Sequence, residues 1–160
     1  MTIIVERKEG IVVTISSATP SSVMIENSIA LFEIRNDDVA TASVKGERDG
    51  AEDPITPTSG EFSVSLSKES ADGTLVSYTV AGSATPISDH TLIGSGTVFI
   101  APGATSTSID VPVLDDLILE GTEDVKITLT GISGGIDSSI SLHASDYEDS
   151  ISILDDETPT

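Results

Sequence analysis

The sequence predicts an all-β chain: an antiparallel β-sandwich of about seven strands, preceded by two further strands. Three observations carry this. Period-two apolar alternation recurs along the chain, turn signals interrupt it at short intervals, and no segment shows an apolar stripe of helical period. Many short strands at such spacing pack as two facing sheets.

Taken in order, EGIVVTIS (9–16) and LFEIRNDD (31–38) read as the two leading strands. The sandwich strands are expected near 40–47, 59–68, 73–83, 92–100, 105–114, 123–132 and 149–154. Phe62, Val64 and Leu66 alternate with Glu61, Ser63, Ser65 and Ser67. Val76, Tyr78 and Val80 flank Ser77 and Thr79, which makes Tyr78 a core residue. Ile109, Val111 and Val113 alternate with Asp110 and Pro112, and Val125, Ile127 and Leu129 with Lys126 and Thr128. Ile151 and Ile153 flank Ser152. ADG at 71–73, APG at 101–103 and GG at 134–135 mark turns. Pro112 has no N–H to give a ladder, so its strand belongs at a sheet edge or a bulge.

The chain repeats itself. EGIVVTIS at 9–16 aligns with EDVKITLT at 123–130, a shift of 114, and LFEIRNDD at 31–38 aligns with SISILDDE at 150–157, a shift of 119. Glu6 and Glu9 thereby fall on Glu120 and Glu123. Residues 1–38 read as the last two strands of a preceding repeat and residues 39–160 as a complete sandwich. A period of this length describes tandem sandwiches, not a solenoid. The apolar faces of the leading strands need cover. Docking onto the complete sandwich is the favoured arrangement, with strand exchange between molecules the second.

Composition limits the partners. With 27 acidic against 7 basic residues the formal charge is −20, which opposes nucleic acid and an anionic membrane alike. No window has the long apolar run of a membrane-spanning helix, and no direct membrane insertion is expected. Without cysteine there is neither a disulfide frame nor a thiolate metal site. No GxSxG turn or similar nucleophile element is present, and no enzymatic activity is expected.

The acids are not spread evenly. VLDDLILEGTEDV (113–125) holds Asp115, Asp116, Glu120, Glu123 and Asp124 in one strand connection. If successive strands run in opposite directions, this connection shares one end of the sandwich with those around 48–58 and 84–91 and with the exit after 154. Asp49, Glu52, Asp53, Asp89, Asp155, Asp156 and Glu157 then join it. Two carboxylates at about 4 Å repel by roughly 4 kcal/mol at an effective dielectric of 20. Charge pattern alone fits a solvated acidic hairpin and a cation site equally well. Convergence of oxygen ligands from several loops favours a hard cation, calcium before magnesium. With only His90 and His143, both expected to be surface or partly packed residues, zinc has little to hold it. Asp137, Asp146, Glu148 and Asp149 fall around the opposite end and read as solvated, with a calcium at a junction between repeats the other reading.

The run GSATPISDHTLIGSGTVFIAPGATSTSIDVPVLDDLILEGTEDVKITLTGI, followed by SISILDDE, resembles the Calx-β domains. That resemblance covers about 48–157 and implies an immunoglobulin-like β-sandwich. Carried over residue by residue, it implies calcium ligands at Glu52, Asp89, Asp115, Asp116, Glu120, Glu123, Asp155, Asp156 and Glu157. His90 stands where the family usually has an aromatic residue, and Glu157 where some members have a third aspartate. In the leading half-repeat Asn36, Asp37 and Asp38 replace DDE.

The expected function is a calcium-binding extender module of a bacterial secreted or cell-surface adhesin-like protein, stiffened by calcium and flanked by neighbouring repeats. The alternatives are a calcium-dependent module that binds a host or cell-surface peptide or sugar, and a calcium-sensing regulatory domain.

Overall fold

In the computed structural model, which describes residues 4–20, 22–134 and 139–158, each alternating segment of the sandwich becomes a strand whose apolar positions face inward. After a leading hairpin, β1 (Glu9–Thr14) and β2 (Ile29–Ile34), come β3 (Ala40–Arg48), β4 (Gly50–Ala51), β5 (Gly60–Leu66) and β6 (Thr74–Gly82). They are followed by β7 (Ser95–Ile100), β8 (Ser106–Val111), β9 (Glu123–Ser133), β10 (Ile140–Leu142) and β11 (Glu148–Leu154). Two sheets face each other, one ordered β10-β3-β5-β8 and the other β4-β11-β9-β6-β7.

The core lies between them. Val44, Phe62, Val64, Leu66, Ile109 and Val111 come from the first sheet, and Val76, Tyr78, Ile100, Val125, Ile127, Leu129, Ile151 and Ile153 from the second; all are buried. Burial of such side chains, at about 25 cal/mol per Å² of apolar surface, is the main force holding the sheets together. The expected all-β sandwich is therefore the observed one. Pro112 follows immediately after β8, an edge strand, as its missing donor requires.

Two details go beyond the alternation pattern. The first sandwich strand changes sheets: after Arg48 the chain crosses over, and Gly50 and Ala51 pair in parallel with Ile153 and Leu154. Asp49 holds the crossing by accepting the Ser152 N–H at 2.8 Å. The other is β10, a three-residue strand in the long last connection, parallel to β3. It is too short for periodicity to reveal.

Gly82 closes the β6–β9 pair with φ +135, and a Cβ there would sit 2.1 Å from the Asp124 carbonyl oxygen. No L side chain tolerates both. Gly82→Ala is expected to cost about 2 kcal/mol or more, read as a lower urea midpoint with unchanged slope.

The leading hairpin departs from expectation. β1 and β2 pair only with each other, and every residue of both is exposed. Docking of their apolar faces on the sandwich is not what the structure shows. Among the described residues only the flanks attach. Val5 is fully buried, its N–H donating to the Glu69 carbonyl and its own carbonyl accepting from Ala71, both at 3.0 Å. The Lys68 ammonium pairs with Asp38 at 3.0 Å.

Acids at this end remain in contact with solvent, as expected, and also find protein partners. Glu148 takes the Lys126 ammonium at 2.8 Å, Asp149 accepts the Gly46 N–H at 2.8 Å, and Asp146 pairs with His143 at 3.2 Å. Asp137 and the second glycine of the 134–135 turn lie outside the described residues.

Candidate metal centre

Four chain segments bring the remaining acids to the other end. The sheet crossing places Glu52 beside the exit of β11, where its N–H donates to the Leu154 carbonyl at 2.9 Å. Asp155 is the next residue on the neighbouring strand. The Ala51–Thr58 bridge then closes the 52–57 loop over this end.

Asp89 arrives on a tight turn. Ile87 sits at φ +80, a conformation that a β-branched residue seldom adopts and that costs about 1–3 kcal/mol. Hydrogen bonds hold the turn: Ile87 N–H to the His90 carbonyl at 2.8 Å, and Asp89 N–H to the Thr85 carbonyl at 3.0 Å. One Asp89 carboxylate oxygen accepts the Thr85 N–H. His90 bridges to Val113, while Leu114 N–H donates to the Asp89 carbonyl at 2.9 Å. This stitches the 85–91 turn to the stretch that carries Asp115 and Asp116. It also buries His90 more completely than the surface or partly packed position expected for it, because the imidazole is enclosed where the two segments pair.

The result is a nest of carboxylates centred on Glu52. Three groups each offer oxygens within 4.8 Å of one another: Glu52, Asp115 and Asp156; Glu52, Asp89 and Glu120; and Glu52, Asp155 and Glu157. Seven of the nine sequence-derived candidates are in these groups, and Glu52 is in all three. The other two adjoin them. Asp116 raises the pKa of Glu52 through its charge, and the Glu123 carboxyl hydrogen-bonds Asp89. Asp124, in the same acidic run, is not part of the nest; it accepts from the Ser83 hydroxyl at 2.9 Å and so fixes the start of β9. Asp53 accepts from the N–H groups of Ile55 and Thr56 at 2.8 and 2.9 Å and shapes the loop after Glu52. Its Asp-x-x-Thr spacing is a local turn signal that marks this role.

The nest is electrostatically uncompensated. Glu52 is 7% exposed and Asp89 3%. Burial first, then the charges of Asp116, Asp155, Asp89 and Glu157, push the Glu52 carboxyl up to about 7. Glu123 rises to about 7 through its hydrogen bond to Asp89, with burial second. Asp115, Glu120 and Glu157 are also raised, burial leading in each case. Each of the chain's seven Lys and Arg pairs with an acid outside the nest.

Three buried carboxylate oxygens, Glu52 Oε2, Asp155 Oδ1 and Glu157 Oε2, have no hydrogen-bond partner, and all three belong to a single group of the nest. Orphaned acceptors of this kind call for a donor or a cation. The donor set is oxygen throughout. Oxygens on opposite sides of a calcium ion stand about 4.6–5.2 Å apart, twice the 2.3–2.6 Å bond, so the spacing suits that ion.

No family model and no curated protein matches the sequence. Solved structures do match, and they share the Calx-β fold. The apo-form Calx CBD1 domain aligns at 21% identity and TM-score 0.56, covering 73% of this chain and 99% of that one. The calcium binding domain CBD12 of CALX1.1 aligns at 22% identity and TM-score 0.54, covering 69% of this chain and 42% of that one. The Calx CBD2 domain aligns at 12% identity and TM-score 0.53, covering 71% and 86%. This chain thus spans under half of the CBD12 structure and nearly all of the single CBD1 domain.

Proposed function

We propose that this Calx-β-like sandwich is a calcium-binding structural module whose stiffness depends on the ion, with Glu52, Asp89, Asp115, Asp116, Glu120, Glu123, Asp155, Asp156 and Glu157 as its ligand set. The observation that carries the reading is the convergence of three carboxylate groups on the buried Glu52 with no basic side chain drawn in to neutralise them. A solvated acidic hairpin would leave its acids apart and hydrated. Here four segments are built to hold them together, one of them through a strained turn.

The ion would supply positive charge to oxygens that otherwise repel, and would tie the 52–57 loop, the 85–91 turn, the 114–123 loop and the exit of β11 into one unit. Without it those segments push apart while the core between the sheets stays intact. A module soft in low calcium and stiff in millimolar calcium suits an extender outside the cell, where a cysteine-free chain has no disulfides to rigidify it. The sequence repeat supports a tandem setting, and we place the module in a secreted or surface adhesin-like protein. The calcium-binding name attached to CBD12 supports the same choice of ion.

The test is a thermal melt after chelation and again in millimolar calcium, with magnesium as control. One site at a hundredfold excess over its Kd adds about 2.7 kcal/mol, a rise of roughly 10 °C for a domain of this size. Asp115→Ala combined with Asp116→Ala should remove most of it. An equal response to magnesium, or no response to either ion, would sink the proposal.

A further inference from the structure

A run of exposed apolar residues stands at the acidic end. Leu117, Ile118 and Leu119 lie in the loop between Asp116 and Glu120, and all three are exposed, Leu119 by 51%. Three consecutive large apolar residues in water are an unusual feature for a loop flanked by carboxylates.

The internal repeat offers a structural counterpart for them. The hairpin register reproduces that of β9 with β11. Glu9↔Ile34 corresponds to Glu123↔Ile153, Ile11↔Phe32 to Val125↔Ile151, and Thr14↔Ile29 to Thr128↔Glu148. All six pairs coincide under the shifts of 114 and 119. The inward positions coincide as well, since Ile11, Val13, Phe32 and Ile34 fall on the buried Val125, Ile127, Ile151 and Ile153. The hairpin is thus the structural counterpart of the last two strands of a sandwich, and the segment before it is the counterpart of the 114–122 loop.

In that alignment Val5 falls on Leu119. Val5 is 0% exposed, seated in the neighbouring sandwich between the Glu69 carbonyl and the Ala71 N–H, in a parallel bridge with Ser70. Asn36 and Asp38, the counterparts of Asp155 and Glu157, reach the same end of that sandwich, at the Ser139 hydroxyl (3.3 Å) and the Lys68 ammonium (3.0 Å). The chain therefore contains the flanking contacts of one end-to-end junction, with Val5 as its apolar plug.

We infer that Leu119 is the plug of a second junction of the same kind, and that its partner is a further sandwich presenting a turn like 67–72. The inference does not depend on calcium. It assigns the exposed 117–119 loop to contact between units, with Leu119 entering the turn where Val5 enters this one.

A tandem chain tests it: residues 1–157 followed directly by residues 39–160. This joins Glu157 to a second copy of Val39 as Asp38 is joined to the first. The protein has no cysteine, so Leu119→Cys in the first copy is a clean site for a soluble thiol reagent. Val5→Cys provides the slow reference and Met24→Cys, at an 87% exposed position, the fast one. Labelling at 119 is expected to be at least tenfold slower in the tandem than in the single chain, while labelling at 24 is unchanged. Ala71→Pro in the second copy removes the N–H that receives the plug and should restore fast labelling. Equal rates in single and tandem chains would overturn the inference, and so would slow labelling that survives Ala71→Pro, since protection would then come from bulk proximity alone.

Discussion

Glu52→Gln is expected to raise the melting temperature of the metal-free protein and, in the same molecule, to abolish most of the rise that calcium produces. The two effects have one cause. Glu52 is the residue common to all three carboxylate groups, and its carboxyl is pushed from the ordinary 4.5 to about 7 by burial and by four neighbouring acids. At pH 8 without calcium it is ionised against that resistance. A neutral amide of the same shape removes the penalty, worth about 1 kcal/mol after discounting for solvent screening. With calcium present the same substitution removes the one carboxylate positioned to serve every group, and affinity should fall roughly a hundredfold, about 2.7 kcal/mol at fixed calcium. Melts of native and variant protein, each with and without calcium, check both halves. A variant less stable in both conditions would mean that Glu52 is a packing residue and not the hub of a cation site.

The sandwich was legible because its strands are half-buried and alternate with a period of two, a pattern that both names the strand and says which face is inward. Phe62, Val64 and Leu66 needed nothing more. The sheet crossing at Asp49 and Gly50 left no such trace. It depends on a two-residue pairing with Ile153 and Leu154 that is tertiary from the outset, and it is the crossing that brings Glu52 to Asp155. Alternate connections necessarily share an end of a sandwich, so the acids could be gathered from strand order alone. Their separation into Glu52-centred groups could not, nor could the exclusion of Asp124, whose Ser83 partner lies 41 residues away. His90 was misplaced for a related reason. A polar residue in a turn reads as exposed or at most partly packed, and only its pairing with Val113 buries it fully. The hairpin was read correctly as a strand pair and its docking incorrectly. Apolar alternation says that a face needs cover, not which body provides it.

Acidification should move the metal-free and calcium-loaded proteins in opposite directions. Glu52 and Glu123 both titrate near 7 in the folded chain against about 4.5 in an unfolded one. Between those values the folded state binds more protons, so the stability of the metal-free protein falls as pH rises through that window and is recovered as pH drops. Calcium requires both groups ionised and must displace a proton from each below pH 7. Its affinity should fall tenfold per pH unit for each proton displaced, about 10²–10³ in all between pH 8 and pH 5.5. Melting temperature without calcium is therefore expected to climb from pH 8 to pH 5 while the calcium-induced rise shrinks toward zero, so that the two curves converge. The net charge of −20 also relaxes on acidification and contributes in the same direction, which makes Glu52→Gln the necessary control. In that variant the climb should be shallower, because one of the two raised carboxyls is gone. A metal-free curve that is flat from pH 8 to pH 5 would show that the nest is solvated and relaxed, and that its carboxylates are not held together against their repulsion.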